Sequence, residues 1–102
     1  MQIILDKNTH LTHDQFGHIH ITRPSITGRV ASHIMNTDYD LFDIARWLYK
    51  RIRRDASNPL VQVAFPNMSA DDREFLMTGI TPSEWKDRFK DTIDDQHGVS
   101  ED

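Results

Sequence analysis

Two short stretches near the start of the chain carry a β pattern. QIILD (residues 2–6) is a compact run rich in β-branched residues, and GHIHITR (residues 17–23) alternates. In the second, Ile19 and Ile21 fall on one face and His18, His20 and Thr22 on the other, a period of two that predicts a half-buried strand. About a dozen mostly polar residues separate the runs, too many for a tight hairpin turn. Leu11 and Phe16 within that connection are expected to fold back onto the sheet. The reading is an N-terminal β-hairpin or small sheet, and two strands alone are not stable, so it must lie on helices or pair with another chain. Pro24 cannot donate to a ladder and is expected to end the second strand.

Helical spacing follows. Ser25 is a candidate N-cap for a short helix carrying Ile26, Val30, His33 and Ile34 on one side, running to about Met35 and ended by Asn36, with Gly28 as its weak point. Leu41, Ile44, Ala45, Leu48 and Ile52 form the clearest apolar stripe. Thr37 or Asp38 can cap that helix. Acidic Asp38, Asp40 and Asp43 lie at its start and Lys50, Arg51, Arg53 and Arg54 at its end, the order the helix dipole favours. SNPL predicts a third helix, with Ser57 or Asn58 as cap and Pro59 in the first turn. Its apolar run Leu60, Val61, Val63, Ala64 and Phe65 is expected to be central to the core, with Pro66 as its stop. Ser69 caps the next helix, whose Phe75 and Leu76 face inward and whose end is marked by Gly79. Thr81-Pro82-Ser83-Glu84 is a capping box with proline at the first helical position, and Ile80 can staple onto Trp85. Trp85, Phe89 and the stem of Arg88 form the buried stripe of that last helix.

These elements give an α+β fold in one domain over residues 1–90: the small N-terminal sheet packed on about four short helices. At 102 residues the chain has room for one modest core. The net charge of −4 is uneven. Residues 91–102 hold Asp91, Asp94, Asp95, Glu101 and Asp102 and no Lys or Arg, which predicts a disordered acidic tail dispensable for folding. Residues 1–90 carry 12 basic and 11 acidic side chains, about +1, which argues against both a globally basic nucleic-acid binder and an acidic DNA mimic. The absence of cysteine excludes disulfides and thiolate metal sites. No apolar run approaches the ~18 residues of a membrane span, and MQIILDKNTH lacks a secretory pattern, so a cytoplasmic location is expected.

DREFLMTGITPSEW, followed by Phe89, resembles a segment of small, mostly uncharacterised bacteriophage-encoded proteins. The resemblance spans roughly residues 70–90. It implies a phage or mobile-element origin, hence a host-cell cytoplasm, and carries no activity or functional residue with it.

Four of the six histidines fall within residues 10–20. His18 and His20 on a strand lie about 6.6 Å apart on one side, a spacing that allows two ligands to one metal, with His10, His13 or Asp14 completing the set. Zinc-signature spacings such as His-Glu-x-x-His are absent. The alternatives are imidazoles on the wet face of a strand, which needs no ligand, and a pH-sensitive interface. No metal or cofactor is expected. In the basic helix around residues 44–54, Arg46, Lys50 and Arg53 share one stripe and Trp47, Arg51 and Arg54 another, both away from the apolar face. With Trp47 and Tyr49 exposed, that surface could meet an acidic protein patch or phosphates; dipole complementarity and solubility account for it as well. Nothing resembles a catalytic constellation: there is no Gly-x-Ser-x-Gly, the glycines at 17, 28, 79 and 98 are too scattered for a phosphate loop, and Asp71, Asp72 and Glu74 read as helix-start acids.

The sequence therefore points to a non-enzymatic interaction protein of phage type that binds, and possibly inhibits, a host protein. The candidate residues are Arg46, Trp47, Lys50, Arg51, Arg53, Arg54, His18 and His20. A homodimer through the N-terminal strand edge is a further expectation. The alternative is a nucleic-acid-binding or regulatory module using residues 44–54; the lack of Asn and Gln on the basic face favours protein.

Overall fold

The computed structural model describes residues 1–87. The architecture is α+β. Four strands, β1 (Gln2–Asp6), β2 (Thr9–His13), β3 (Ile19–Pro24) and β4 (Val30–Met35), form an antiparallel sheet in the order β1-β2-β3-β4. Helices α1 (Leu41–Ile52), α2 (Val61–Ala64) and α3 (Ala70–Thr78) follow, and a fourth helix opens at 82 and is described through 87. Phe89, the stem of Arg88 and the expected tail at 91–102 lie outside the described residues.

The sheet is larger than the expected hairpin, for two reasons. The long polar connection holds β2, which reaches β1 through a two-residue turn at Lys7 and Asn8, with the Asn8 N–H donating to the Asp6 carboxylate (2.8 Å). Phe16 does not fold back: it sits at the β2–β3 turn, 73% exposed. The expected helix over 25–35 is instead a turn followed by β4. Gly28, at φ 93, belongs to that turn, and its N–H donates to the Ser25 carbonyl (2.9 Å). Val30 and Ile34, whose i,i+4 spacing suggested a helix face, stand on the outer side of β4 and are exposed.

Register explains the burial. Ile3, Leu11, Ile21 and His33 run across the inner face as one row, and Ile19 pairs with Met35 in the next. Leu11, Ile19, Ile21 and Met35 are completely or almost completely buried. Helix α1 lies across β1 and β2 and contributes Leu41, Ile44, Ala45, Trp47 and Leu48 to the core. Its cap is Asp40, whose carboxylate accepts from the N–H groups of Phe42 (2.9 Å) and Asp43 (3.3 Å), rather than Thr37 or Asp38.

Helix α2 starts later than expected. Leu60 is its N-cap residue, and only Val61 and Phe65 of the run enter the core; Leu60 and Val63 are each 66% exposed. Helix α3 follows its sequence grammar: Ser69 accepts from the Asp72 N–H (3.2 Å), Phe75 and Leu76 are buried, and Gly79 closes the end at φ 76. The capping box at Thr81 and Glu84 forms reciprocally, with the Thr81 N–H donating to Glu84 Oε1 (3.1 Å) and the Glu84 N–H to Thr81 Oγ1 (3.2 Å). A buried polar tie joins sheet to helix: His33 Nε2 lies 2.7 Å from Asp72 Oδ1, with the imidazole packed on the Phe75 ring at 5.0 Å.

Candidate functional site

The end of α3 leaves carbonyl oxygens to be satisfied, and α3 has no basic residue in its last turn. The cations arrive from elsewhere in the chain. Arg23, the last inward position of β3 after Ile19 and Ile21, is 8% exposed and donates from Nη1 to the Leu76 carbonyl (2.6 Å) and from Nε to the Pro24 carbonyl (2.7 Å). Arg51 of α1 donates from Nε to the Met77 carbonyl (3.2 Å). The backbone N–H of Ile26 donates to the Thr78 carbonyl (2.8 Å) and binds the β3–β4 turn to the same helix end. Gly79 is required there. A Cβ at this position would stand 2.7 Å from both the Pro24 oxygen and the Ser25 Cα.

Beside this junction lies a groove of about 810 Å³ between the C-terminal half of α1, the loop over 53–60, the β3–β4 turn and the end of α3. Arg23, Arg51 and Arg54 border it, and Ile26 and Leu60, both mostly exposed, give it apolar walls. Among the described residues none of these three arginines forms an ion pair with a carboxylate. Burial, and secondarily the charge of Arg51, hold the Arg23 guanidinium below its ordinary pKa. Asp55, the one carboxylate on the groove, is engaged with Ser57, whose hydroxyl (2.7 Å) and N–H (2.9 Å) donate to Oδ1 and lower its pKa.

Arg54 has φ 56, in the left-handed region and the only positive φ outside glycine among the described residues. It ends α1, with the Arg54 N–H donating to the Arg51 carbonyl (3.1 Å) and the Asp55 N–H to the Lys50 carbonyl (2.9 Å). Glycine is the usual residue at such a helix end, and an arginine there costs about 1–2 kcal/mol of backbone strain.

Trp47 is not on an exposed basic stripe. It is 5% exposed, its indole N–H donates to the Pro59 carbonyl (2.8 Å), and its ring meets Phe65 edge-on at 6.4 Å. The 53–60 loop folds over α1 and widens its buried arc. The Asn58 side chain fixes the same contact by donating to the Trp47 carbonyl (3.1 Å). The remaining candidates divide. Arg46 pairs with Asp43 at 3.2 Å on the surface, Arg53 lies over the Tyr49 ring at 5.0 Å, and Lys50 borders a smaller hollow of about 280 Å³ with Arg46. Only Arg51, Arg54 and the buried Trp47 of these reach the groove beside the end of α3.

His18 and His20 lie at the other end of the sheet and converge on Asp14. Its Oδ2 is 2.8 Å from His20 Nε2 and 3.7 Å from His18 Nδ1, while its Oδ1 accepts from the N–H groups of Phe16 (2.8 Å) and His18 (2.9 Å). The His20 hydrogen bond first, and then the backbone donors, lower the Asp14 carboxyl to a pKa of about 2. These contacts organise the β2–β3 turn. No group of three or more His, Asp or Glu among the described residues is arranged to hold a metal ion.

No protein-family model matches the chain, and comparison with curated proteins and with solved structures finds no match. The site has therefore to be read from its own geometry. Arg23 and Ile26 are not among the sequence-predicted site residues, although the parity Ile19, Ile21, Arg23 already placed Arg23 inward. No helix among the described residues is long and apolar enough to cross a membrane.

Proposed function

We propose that the chain is a non-enzymatic binding protein that takes an acidic, partly apolar segment of another protein into the groove bordered by Arg23, Arg51 and Arg54. The observation that carries this is the gathering of three guanidiniums, none paired with a described carboxylate, against apolar walls. Arginine forks suit planar carboxylates, and exposed Ile26 and Leu60 suit aliphatic side chains between them. A nucleic-acid reading finds less support, since Arg46 is paired with Asp43 and Arg53 lies over the Tyr49 ring. The resemblance of residues 70–90 to phage proteins is what points to a host protein as partner.

The test is capture from a bacterial lysate on immobilised chain, compared with the Arg51→Glu, Arg54→Glu double variant and read by mass spectrometry. A protein with an acidic–aliphatic segment, retained by the native chain and lost by the double variant, is expected. Retention that ignores the double variant sinks the groove. Retained nucleic acid, released by nuclease and steeply salt-sensitive, would establish the alternative. Size-exclusion chromatography with light scattering reads self-association through β1, an edge strand of the sheet.

A further inference from the structure

We propose that the chain's own acidic segment, residues 91–102, occupies the groove between α1 and the end of α3, seating carboxylates on Arg51, Arg54 and Arg23 and aliphatic side chains on Ile26 and Leu60. This rests on reading the groove as an acceptor of acidic segments. The segment is then an internal competitor, and an outside partner binds by displacing it.

Charge is the first argument. Residues 91–102 hold five carboxylates and neither Lys nor Arg, whereas residues 1–90 are about +1. The groove concentrates three cations that no described carboxylate neutralises. The segment also carries two sizeable apolar residues, Ile93 and Val99, spaced among the acids. It is thus the kind of ligand the groove suits, and it is covalently attached.

Reach is the second. Gly79 touches the groove's border, since a Cβ there would lie 3.0 Å from Arg23 Nε and 2.7 Å from the Pro24 oxygen. From Gly79 the chain takes three residues to position 82 and is then helical to 87. At about 3.6 Å per extended residue and 1.5 Å per helical residue, position 87 lies within roughly 18 Å of Gly79. Residues 91–102 alone can span up to about 40 Å. Val99, Glu101 and Asp102 can therefore return to the groove. A short tether presents them at an effective concentration on the order of millimolar, so weak intrinsic affinity suffices. Such docking adds a ligand to a finished fold.

The chain has no cysteine, so Val99→Cys in the full chain gives a single attachment point for a nitroxide. Paramagnetic broadening of backbone amide signals is the readout. Several-fold loss of peak height is expected at residues 23–26, 51–55 and 60–62. It should vanish in 1 M salt, where the screening length falls to about 3 Å, and in the Arg51→Glu, Arg54→Glu variant. Because those arginines also serve the fold, Glu101→Gln with Asp102→Asn is the second variant; it leaves the groove intact and should weaken the broadening too. Absence of broadening from those segments overturns the proposal, as does broadening indifferent to both variants. Mixing nitroxide-bearing chain with isotope-labelled, nitroxide-free chain separates the sources: undiminished broadening in the mixture means that a second copy supplies the segment, which also overturns it. If lysate capture depends on Arg51 and Arg54 while the broadening is absent, the internal occupant alone is wrong. If capture ignores those arginines, the acceptor reading has failed on its own.

Discussion

Gly79→Ala probes the junction that builds the groove. Two costs add. The position has φ 76, and an alanine held in the left-handed region costs about 1–2 kcal/mol. The new methyl also meets the Pro24 oxygen and the Ser25 Cα at 2.7 Å each. Both are backbone atoms, so no side chain can swing aside, and crowding of this kind costs about 1–3 kcal/mol. The sum is roughly 2–5 kcal/mol. For a domain of this size each kcal/mol moves Tm by about 4–8 °C, so a fall of roughly 10–30 °C is expected in a calorimetric scan. Gly28→Ala is the control, because that residue has φ 93 and nothing within 4 Å of the built Cβ. It should suffer the backbone cost alone. If the two variants lose the same stability, α3 is not clamped against the β3–β4 turn, and the account of the groove's floor is wrong.

Trp47→Ala should destabilise by about 3–5 kcal/mol in chemical denaturation, the usual cost of emptying a large aromatic site; an unchanged midpoint would return Trp47 to the surface. Arg54→Gly should leave stability equal or raise it by up to about 1 kcal/mol, since relief of left-handed strain is partly offset by the freer unfolded chain, yet weaken partner capture; a clear loss of stability would mean the arginine side chain holds the fold. Asp14→Asn tests the β2–β3 turn. The folded pKa of Asp14 is depressed from 3.8 to about 2, so its contribution is fully present above 3.8 and is lost as pH falls toward 2. The Tm gap between native chain and variant should therefore narrow across that window, and a gap constant from pH 6 to 2 would contradict the pairing.

The α+β class, β1, β3, α1, α3 and both helix caps around Gly79 were legible because each rests on local grammar: a period of two at Ile19 and Ile21, a stripe from Leu41 to Ile52, Ser69, Gly79, and the Thr81–Glu84 box. The missed elements share one physical cause. In β4 the apolar Val30 and Ile34 face outward while Ala31, His33 and Met35 face in, so hydrophobicity misreports the buried side. In β2 the buried residues are Thr9 and Leu11, only one of them aliphatic. His33 can face inward because Asp72, 39 residues along the chain, meets it at 2.7 Å. That partner cannot be seen in a local window. Trp47 fails for the same reason, since Pro59 supplies the acceptor that draws the indole in.

The candidate site was half legible. Arg51 and Arg54 stood out as part of a basic run, but the cluster they belong to is defined by what α3 lacks. Its last turn has no cation, and a helix end favours positive charge. Arg23 from the sheet and Arg51 from α1 fill that need across two tertiary contacts. Each guanidinium carries five N–H donors. Two of Arg23's and one of Arg51's go to backbone carbonyls. Closing the helix therefore assembles the cations in one place without exhausting their donors. The fold's requirement for charge at the end of α3 and the carboxylate binding proposed for the groove have one origin, and Arg54, held in a strained backbone state at its edge, is the member the fold does not explain.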